Sequence, residues 1–266
     1  MKNCLSIAGS DCSGGAGIQA DIKTFSALGC FGMSVIVSVV AENTSRVISI
    51  QDVSPKVIKD QIDAVFEDIK VDAVKVGMLS GIESMKAVIE KLKEYHPKIT
   101  VIDPVMVAKG GCALMQPEAL ETMKKEIIPL SFLLTPNIPE AETITKMKIE
   151  NIEDMKAAAK GIHKMGAENV LIKGGHLNGD AVDILYDGEK YYSFSNERIN
   201  TKNTHGTGCT LSSAITANLA NGKSLPKAVE EAKKYVTEAI RYSLDIGKGH
   251  GPTNHFYEFY NSKGII

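Results

Sequence analysis

The 266-residue sequence has five cysteines and six histidines, yet no CxxC pair and no cysteine or histidine grouping at metal-ligand spacing. Scattered thiols, odd in number, fit reduced side chains better than a disulfide framework. Basic residues are not clustered either. Thirty lysines and arginines are spread against 32 acidic residues, a net charge of -2, so there is no footprint for a phosphate backbone and nucleic acid is not an expected partner. No apolar run is long enough to cross a bilayer; the longest lies around Val35 to Ala41. The opening MKNCLSIAGSDCSGG lacks the apolar stretch of a signal peptide. The expectation is a cytoplasmic protein with no membrane partner.

What is present is alternation. Short apolar, β-branched runs (LSIAG at 5–9, SVIVSVVA at 34–41, DAVKVGML at 72–79, ITVIDPV at 99–105, FLLTPN at 132–137, NVLIKGG at 169–175) read as strands. Helical spacing separates most of them, as in Ile18, Ile22 and Phe25, in Ile58, Ile62 and Val65, and in Leu120, Met123 and Ile127. Ser54-Pro55 reads as an N-cap and first helical position, and Gly29 and Gly166 suit helix ends. A hairpin is predicted over AVDILYDGEKYYSF with its turn at Asp187-Gly188, followed by two helices near 208–220 and 225–243. Near-continuous apolar strands between helices imply an α/β fold, a mostly parallel central sheet covered by helices on both faces. No linker or repeat interrupts the pattern, so one domain over 1–266 is expected.

Ligands of open α/β sheets bind at the carboxyl ends of strands. Those ends read AGSDCSGGAG, AEN, GML, DPVMVAKGG, TPNIPEAE and KGGH, each mixing glycine with polar or charged residues. A seventh segment, NTHGTGCTLSS at 203–213, sets glycines and a cysteine where a helix begins. A helix N-terminus carries unpaired N–H groups and partial positive charge, so it attracts anions and favours thiolate at Cys209. On this stretch alone a packed helix with a small buried cysteine is an equal reading. NGKS at 221–224 is not a Walker A motif, because Ala217 stands where its first glycine belongs, and GGAGIQAD lacks GxGxxG spacing. His205 raises a cysteine hydrolase, but with no orienting partner in view it reads as a loop histidine. His96, His163 and His176 read as surface or loop residues.

Taken in order, IAGSDCSGGAGIQADIKTF, KVGML, DPVMVAKGG, TPNIPEAE, IKGGH, NTHGTGCTLSSAI and GHGPTNHF resemble the hydroxymethylpyrimidine/phosphomethylpyrimidine kinases of thiamine biosynthesis over nearly the whole chain. The resemblance implies a ribokinase-like three-layer sandwich that moves the γ-phosphate of ATP to 4-amino-5-hydroxymethyl-2-methylpyrimidine and then to its monophosphate. It implies ATP as co-substrate, Mg2+ as cofactor with a monovalent cation left open, and a homodimer. Carried over by position, Gly206, Thr207, Gly208 and Cys209 form an anion hole. Cys209 stands where sugar kinases of the superfamily have a catalytic aspartate. Asn137 and Lys173 are implied at ATP, Asp103 and Glu140 at the metal, and Asp11, Glu42, Met78 and Val105 at the pyrimidine. Lys109, followed by Gly110 and Gly111, is implied as a catalytic residue of a mobile lid near 104–115.

Two positions depart from the family. Glu42 replaces a glutamine, which would both donate to a ring nitrogen and accept from the 4-amino group; an ionised glutamate only accepts. Glu42→Gln is therefore expected to keep activity and flatten the pH profile below neutrality. Cys112 in the lid, with Cys12 near the first loop, keeps a pyridoxine or pyridoxal kinase of vitamin B6 salvage open as an alternative. A non-catalytic pyrimidine-binding protein on the same fold is a third reading.

Overall fold

A computed structural model of the chain describes residues 1–107, 111–116, 118–175 and 180–265. Nine strands pair into one sheet in the order β3-β2-β1-β4-β5-β6-β7-β8-β9. They are β1 (Lys2–Asp11), β2 (Cys30–Glu42), β3 (Val47–Asp52), β4 (Ala73–Val76), β5 (Thr100–Ile102), β6 (Leu133–Leu134), β7 (Asn169–Ile172), β8 (Ala181–Tyr186) and β9 (Tyr191–Asn196). The six strands from β2 to β7 run parallel; β3 at one edge and β8 and β9 at the other are antiparallel.

Adjacent residues of a strand face opposite sides of the sheet, and here both sides are filled. Ile102, Leu134, Val170 and Ile172 pack with α2 (Pro55–Phe66), α3 (Ile82–Tyr95), α5 (Ile138–Thr145) and α6 (Ile152–His163). Val101, Leu133 and Leu171 turn the other way, onto α7 (Thr207–Ala220) and α8 (Leu225–Arg241). With α1 (Gly17–Ala27) packed beside α7, these make three layers, as the alternation implies. Ser54 caps α2 through Val57 N–H with Pro55 as its first residue, and the 181–194 hairpin forms.

Three expectations change. β3 was not foreseen: its burial pattern is mostly open, because this edge strand has little core to cover. The central strands are shorter than their apolar runs, β6 being two residues, since the polar tails of those runs leave the sheet to line its upper edge. The spacing through Leu120, Met123 and Ile127 starts as α4 (Ala119–Thr122), then widens into a π turn over Met123–Ile127 and a 3-10 turn over Ile128–Leu130. The wider turn lets the consecutive Ile127 and Ile128 both face inward.

One strand residue breaks the apolar rule. Lys75 in β4 is 0% exposed and paired with Asp21 of α1, at 2.8 Å to Oδ2 and 3.0 Å to Oδ1. Ser6 of β1 donates to Asp21 Oδ2 at 2.6 Å, and Ser213 of α7 to Oδ1 at 2.7 Å. Ser213 lies one helical turn beyond Cys209, on the same face of α7. The pair therefore sits directly beneath that cysteine.

Candidate active site

The parallel strands deliver their carboxyl ends to one edge, and the first turn of α7 comes to the same place. Gly206 caps α7 in a left-handed conformation, φ 78°, and a Cβ there would lie 1.7 Å from Gly15 O, so no other residue fits. Thr207 N–H reaches back to Thr204 O, and Thr210 N–H is the first to close a helical turn, onto Gly206 O. The amides of Gly208 and Cys209 fall between them, as first-turn donors for an outside anion. A Cβ on Gly208 would sit 3.4 Å from Asp103 Oδ2 and 3.5 Å from Lys173 Nζ. The anion hole thus faces one carboxylate and one ammonium.

Asp103 follows β5 and is 2% exposed; its Oδ1 accepts from Lys173 Nζ at 2.6 Å and from Thr135 Oγ1 at 3.3 Å. Burial works against the Lys173 charge, but Asp103 and Glu140 outweigh it and raise its pKa, so the lysine is cationic. Asn137 and Glu140 form a capping box at the start of α5: Asn137 Oδ1 accepts from Glu140 N–H at 2.9 Å and Glu140 Oε2 from Asn137 N–H at 2.8 Å. Burial, with Asp103 adding to it and Lys173 opposing, pushes the Glu140 carboxyl up to about 7. Two buried carboxylates against one lysine leave the cluster a positive charge short. A hard divalent cation with oxygen ligands answers that deficit, so the donor set fits Mg2+ at Asp103 and Glu140.

On the other side of Cys209, Asp11 ends β1 at 1% exposure. Its Oδ1 accepts from Ser13 N–H at 2.7 Å, and its Oδ2 from Gly15 N–H at 3.0 Å, Ala16 N–H at 2.7 Å and His205 Nε2 at 2.9 Å. Burial raises this carboxyl, but His205 and the loop donors prevail and hold it well below the ordinary carboxylate range. Burial, then the charge of Asp11, push Glu42 up to about 7, with His205 opposing. Asp11, Glu42 and His205 each offer a ligand atom within 4.8 Å of the others. Asp11 and His205 already bind each other and the loop amides saturate Asp11, so little donor capacity is left there for a metal. Met78 is buried over Gly9, where a Cβ would meet its Cε at 2.4 Å, while Val105 is partly open beside Asp103. Cys12 Sγ donates to Glu42 O at 3.0 Å.

Several sequence expectations are corrected. Cys209 was expected to gain thiolate character from its helix; instead burial, helped by Asp21 and Asp103, raises the thiol to about 11, against the lowering effect of Lys75 and the Gly17 amide. The helix field is outweighed by the half-buried position and two nearby carboxylates. His205 is no idle loop residue: it is 7% exposed and holds Asp11 across 194 positions of sequence. Lys75 and Thr135 were not singled out at all; the only signal was a lysine inside an otherwise apolar strand. Lys109 and Gly110 lie outside the described residues, as does His176. The ends of the lid segment are tied by a Val107–Ala113 antiparallel bridge, and Cys112 is exposed.

The phosphomethylpyrimidine kinase family model matches residues 11–254. The chain belongs to that family. It is 50% identical over 258 residues to a hydroxymethylpyrimidine/phosphomethylpyrimidine kinase of Bacillus subtilis, covering 96% of this chain and 95% of the relative. It is 52% identical over 252 residues to the thiamine biosynthesis bifunctional protein ThiED of Geobacter sulfurreducens, covering 94% of this chain but only 51% of that protein. Among solved structures, phosphomethylpyrimidine kinase of Clostridium difficile 630 aligns with TM-score 0.82 at 51% identity, over 90% of this chain and 100% of the other. An ADP complex of Bacillus subtilis pyridoxal kinase aligns with TM-score 0.88 at 39% identity, over 96% and 97%. The family thus has a ribokinase-like α/β fold in common with vitamin B6 kinases, and the mostly parallel sheet flanked by helices agrees with it. Among the described residues no helix is long and apolar enough to cross a membrane.

Proposed function

We propose that this chain is a single-domain, ATP-dependent kinase that phosphorylates 4-amino-5-hydroxymethyl-2-methylpyrimidine and then its monophosphate. The observation that carries this reading is the meeting of the α7 amides with Lys173, Asp103 and Cys209 at one point. Charge spread over a transferring phosphoryl group needs fixed donors around it, and the Gly208 and Cys209 amides with the Lys173 ammonium are such donors. The hydroxymethyl oxygen forms the new P–O bond as the bond to the leaving ADP oxygen breaks. The Cys209 sulfur accepts a hydrogen bond from that hydroxyl and aims it; since the thiol stays protonated near neutral pH, orientation is its part, and the hydroxyl proton passes late to an oxygen of the transferred phosphoryl group. Asp103 and Glu140 would hold Mg2+, which when bound neutralises phosphate charge. Asn137 fixes Glu140, and the lid near 104–115 with Lys109 belongs to the same proposal. A homodimer and a cytoplasmic location are part of the same proposal; exposed Val39 and Ile48 on the β2–β3 edge supply apolar surface for such a contact.

The test is turnover of Cys209→Ala with Mg-ATP. We expect kcat to fall about 100-fold with the KM for ATP little changed, the scale of a lost orienting group; a near-normal rate would remove sulfur from the chemistry. Glu42 supplies a second test. With its carboxyl pushed up to about 7, it is half protonated at neutral pH and can donate as the family glutamine does, so the pH-sensitive window lies around neutrality rather than below it. For the wild type, kcat/KM for the pyrimidine is expected to decline as pH rises from 6 to 8, the proton being lost, while Glu42→Gln stays flat and active; parallel slopes would contradict this role. The likeness to pyridoxal kinase supports a second reading, vitamin B6 phosphorylation. Parallel assays with hydroxymethylpyrimidine, its monophosphate, pyridoxine and pyridoxal separate the two, with preference for the pyrimidines expected.

A further inference from the structure

His205 carries no role of its own in the assignments above, yet it is bonded to Asp11 and buried beside the two loops that carry the assigned groups. We propose that His205 is a positioning residue: through Asp11 it clamps the loop of residues 13–17 against the cap of α7 and so sets the environment of Cys209. The proposal rests on the reading of Cys209 given above.

The backbone of His205 is anchored independently of Asp11. Its N–H donates to Gly251 O at 3.1 Å, its carbonyl accepts from Thr253 N–H at 3.4 Å, and it bridges to Pro252. The ring lies flat against the loop, since a Cβ on Gly15 would be 2.4 Å from its Cδ2. With Asp11 ionised, Nε2 carries the proton and donates to Oδ2. That same oxygen accepts from Gly15 and Ala16 N–H, immediately before α1. Ala16, the N-cap residue of α1, has no side chain able to cap, and its own N–H is satisfied by Asp11 from five positions upstream. The loop so held does two things at the site. The Gly15 carbonyl packs against Gly206, the cap of the anion hole, and the Gly17 amide acts on the Cys209 thiol. Gly17 holds a left-handed conformation, φ 55°, in which a Cβ would be 2.5 Å from Gly9 O, so only glycine fits between the loop and β1. Loss of the His205 side chain therefore removes one donor to the Asp11 carboxylate while leaving every backbone bond of the loop available. A small shift of the loop reaches both the anion hole and the sulfur.

The test compares His205→Gln, whose Nε2 can still reach Asp11, with His205→Asn, which is too short, and His205→Leu, which has no donor. Two quantities are read: kcat and KM with Mg-ATP and hydroxymethylpyrimidine, and the rate of Cys209 alkylation by iodoacetamide, located by peptide mass spectrometry in the protein without nucleotide. The Asn and Leu variants are expected to lose about 10- to 100-fold in kcat, the scale of an ångström-sized misplacement. Their Cys209 alkylation rate is expected to change at least threefold, and the Gln variant to restore both quantities to within about twofold of wild type. Wild-type alkylation and kcat in the Asn variant, or equal loss in Gln and Asn, would overturn the proposal. Should the Leu variant not fold, the Gln and Asn pair decides alone. Alkylation needs no turnover, so it still tests the brace if Cys209→Ala proves fully active and the reading of the sulfur fails.

Discussion

Asp103→Asn is expected to lower kcat about 1000-fold, close to 4 kcal/mol of transition-state stabilisation, and to lower the melting temperature as well, since the largely enclosed Lys173 ammonium loses its ionised partner. Two losses combine in it. Lys173 is held at 2.6 Å by Asp103 Oδ1 and lies beside Gly208, so removing the charge frees the ammonium from the first turn of α7. The substitution also removes one of the two carboxylates that fit a divalent cation, and the Mg2+ concentration for half-maximal rate should rise. The sign of the accompanying pH effect follows from Glu140. Its carboxyl lies near 7 because burial raises it and Asp103 raises it further, while Lys173 opposes. Without Asp103 the first pressure remains and the second is gone, so Glu140 ionises at lower pH. If ionised Glu140 is required, the acid limb of the residual activity moves to lower pH than in the wild type. Steady-state rates over pH 5.5 to 8.5 with varied Mg2+ check all three; unchanged Mg2+ dependence would remove Asp103 from the metal.

The sheet was legible because its strands are both apolar and short, a pattern that only two-sided burial explains, and the structure puts Val101 and Ile102, or Leu133 and Leu134, on opposite faces accordingly. The edge strand β3 was not, since Val47–Asp52 is mostly open and its alternation is only a few residues long. The start of α7 was legible for a similar local reason: glycines at 206 and 208 before a small-residue run mark a helix N-terminus. What could not be read was anything set by charges meeting across the fold. The thiol of Cys209 looked activated as long as its helix was the only neighbour, but burial, with Asp21 and Asp103 adding to it, raises it against the pull of Lys75. His205 looked idle because Asp11 is far away in sequence and near in space. Glu42 is the intermediate case. Its departure from glutamine was visible, but the carboxyl's rise to about 7 depends on burial and on Asp11, neither of which the segment AEN reveals.

Asp21→Ala is expected to destabilise the protein by about 3–5 kcal/mol, the cost of leaving a buried charge without its partner. Lys75 is fully enclosed, and although burial opposes its charge, Asp21, Cys209 and Asp103 together keep it protonated. The substitution also orphans the hydroxyls of Ser6 and Ser213, which now donate to the lost carboxylate. Urea denaturation measures the loss; a value below about 1 kcal/mol would mean that the neighbouring groups satisfy Lys75 unaided. Replacing both partners, Lys75→Met with Asp21→Asn, removes the ion while keeping an acceptor for the serines, and should recover most of the difference. The single variant carries a second, opposite sign at the active site. Lys75 lowers the Cys209 thiol pKa and Asp21 raises it, so in the intact pair the two fields largely cancel at the sulfur. Without Asp21, the ammonium acts alone and the thiol ionises at lower pH. Cys209 in the Asp21→Ala protein should then alkylate faster at pH 8 than in the wild type, measured below the denaturation midpoint, even as the fold weakens. A merely loosened site would also alkylate faster, but with the same pH dependence; a shifted midpoint identifies the field of Lys75 as the cause.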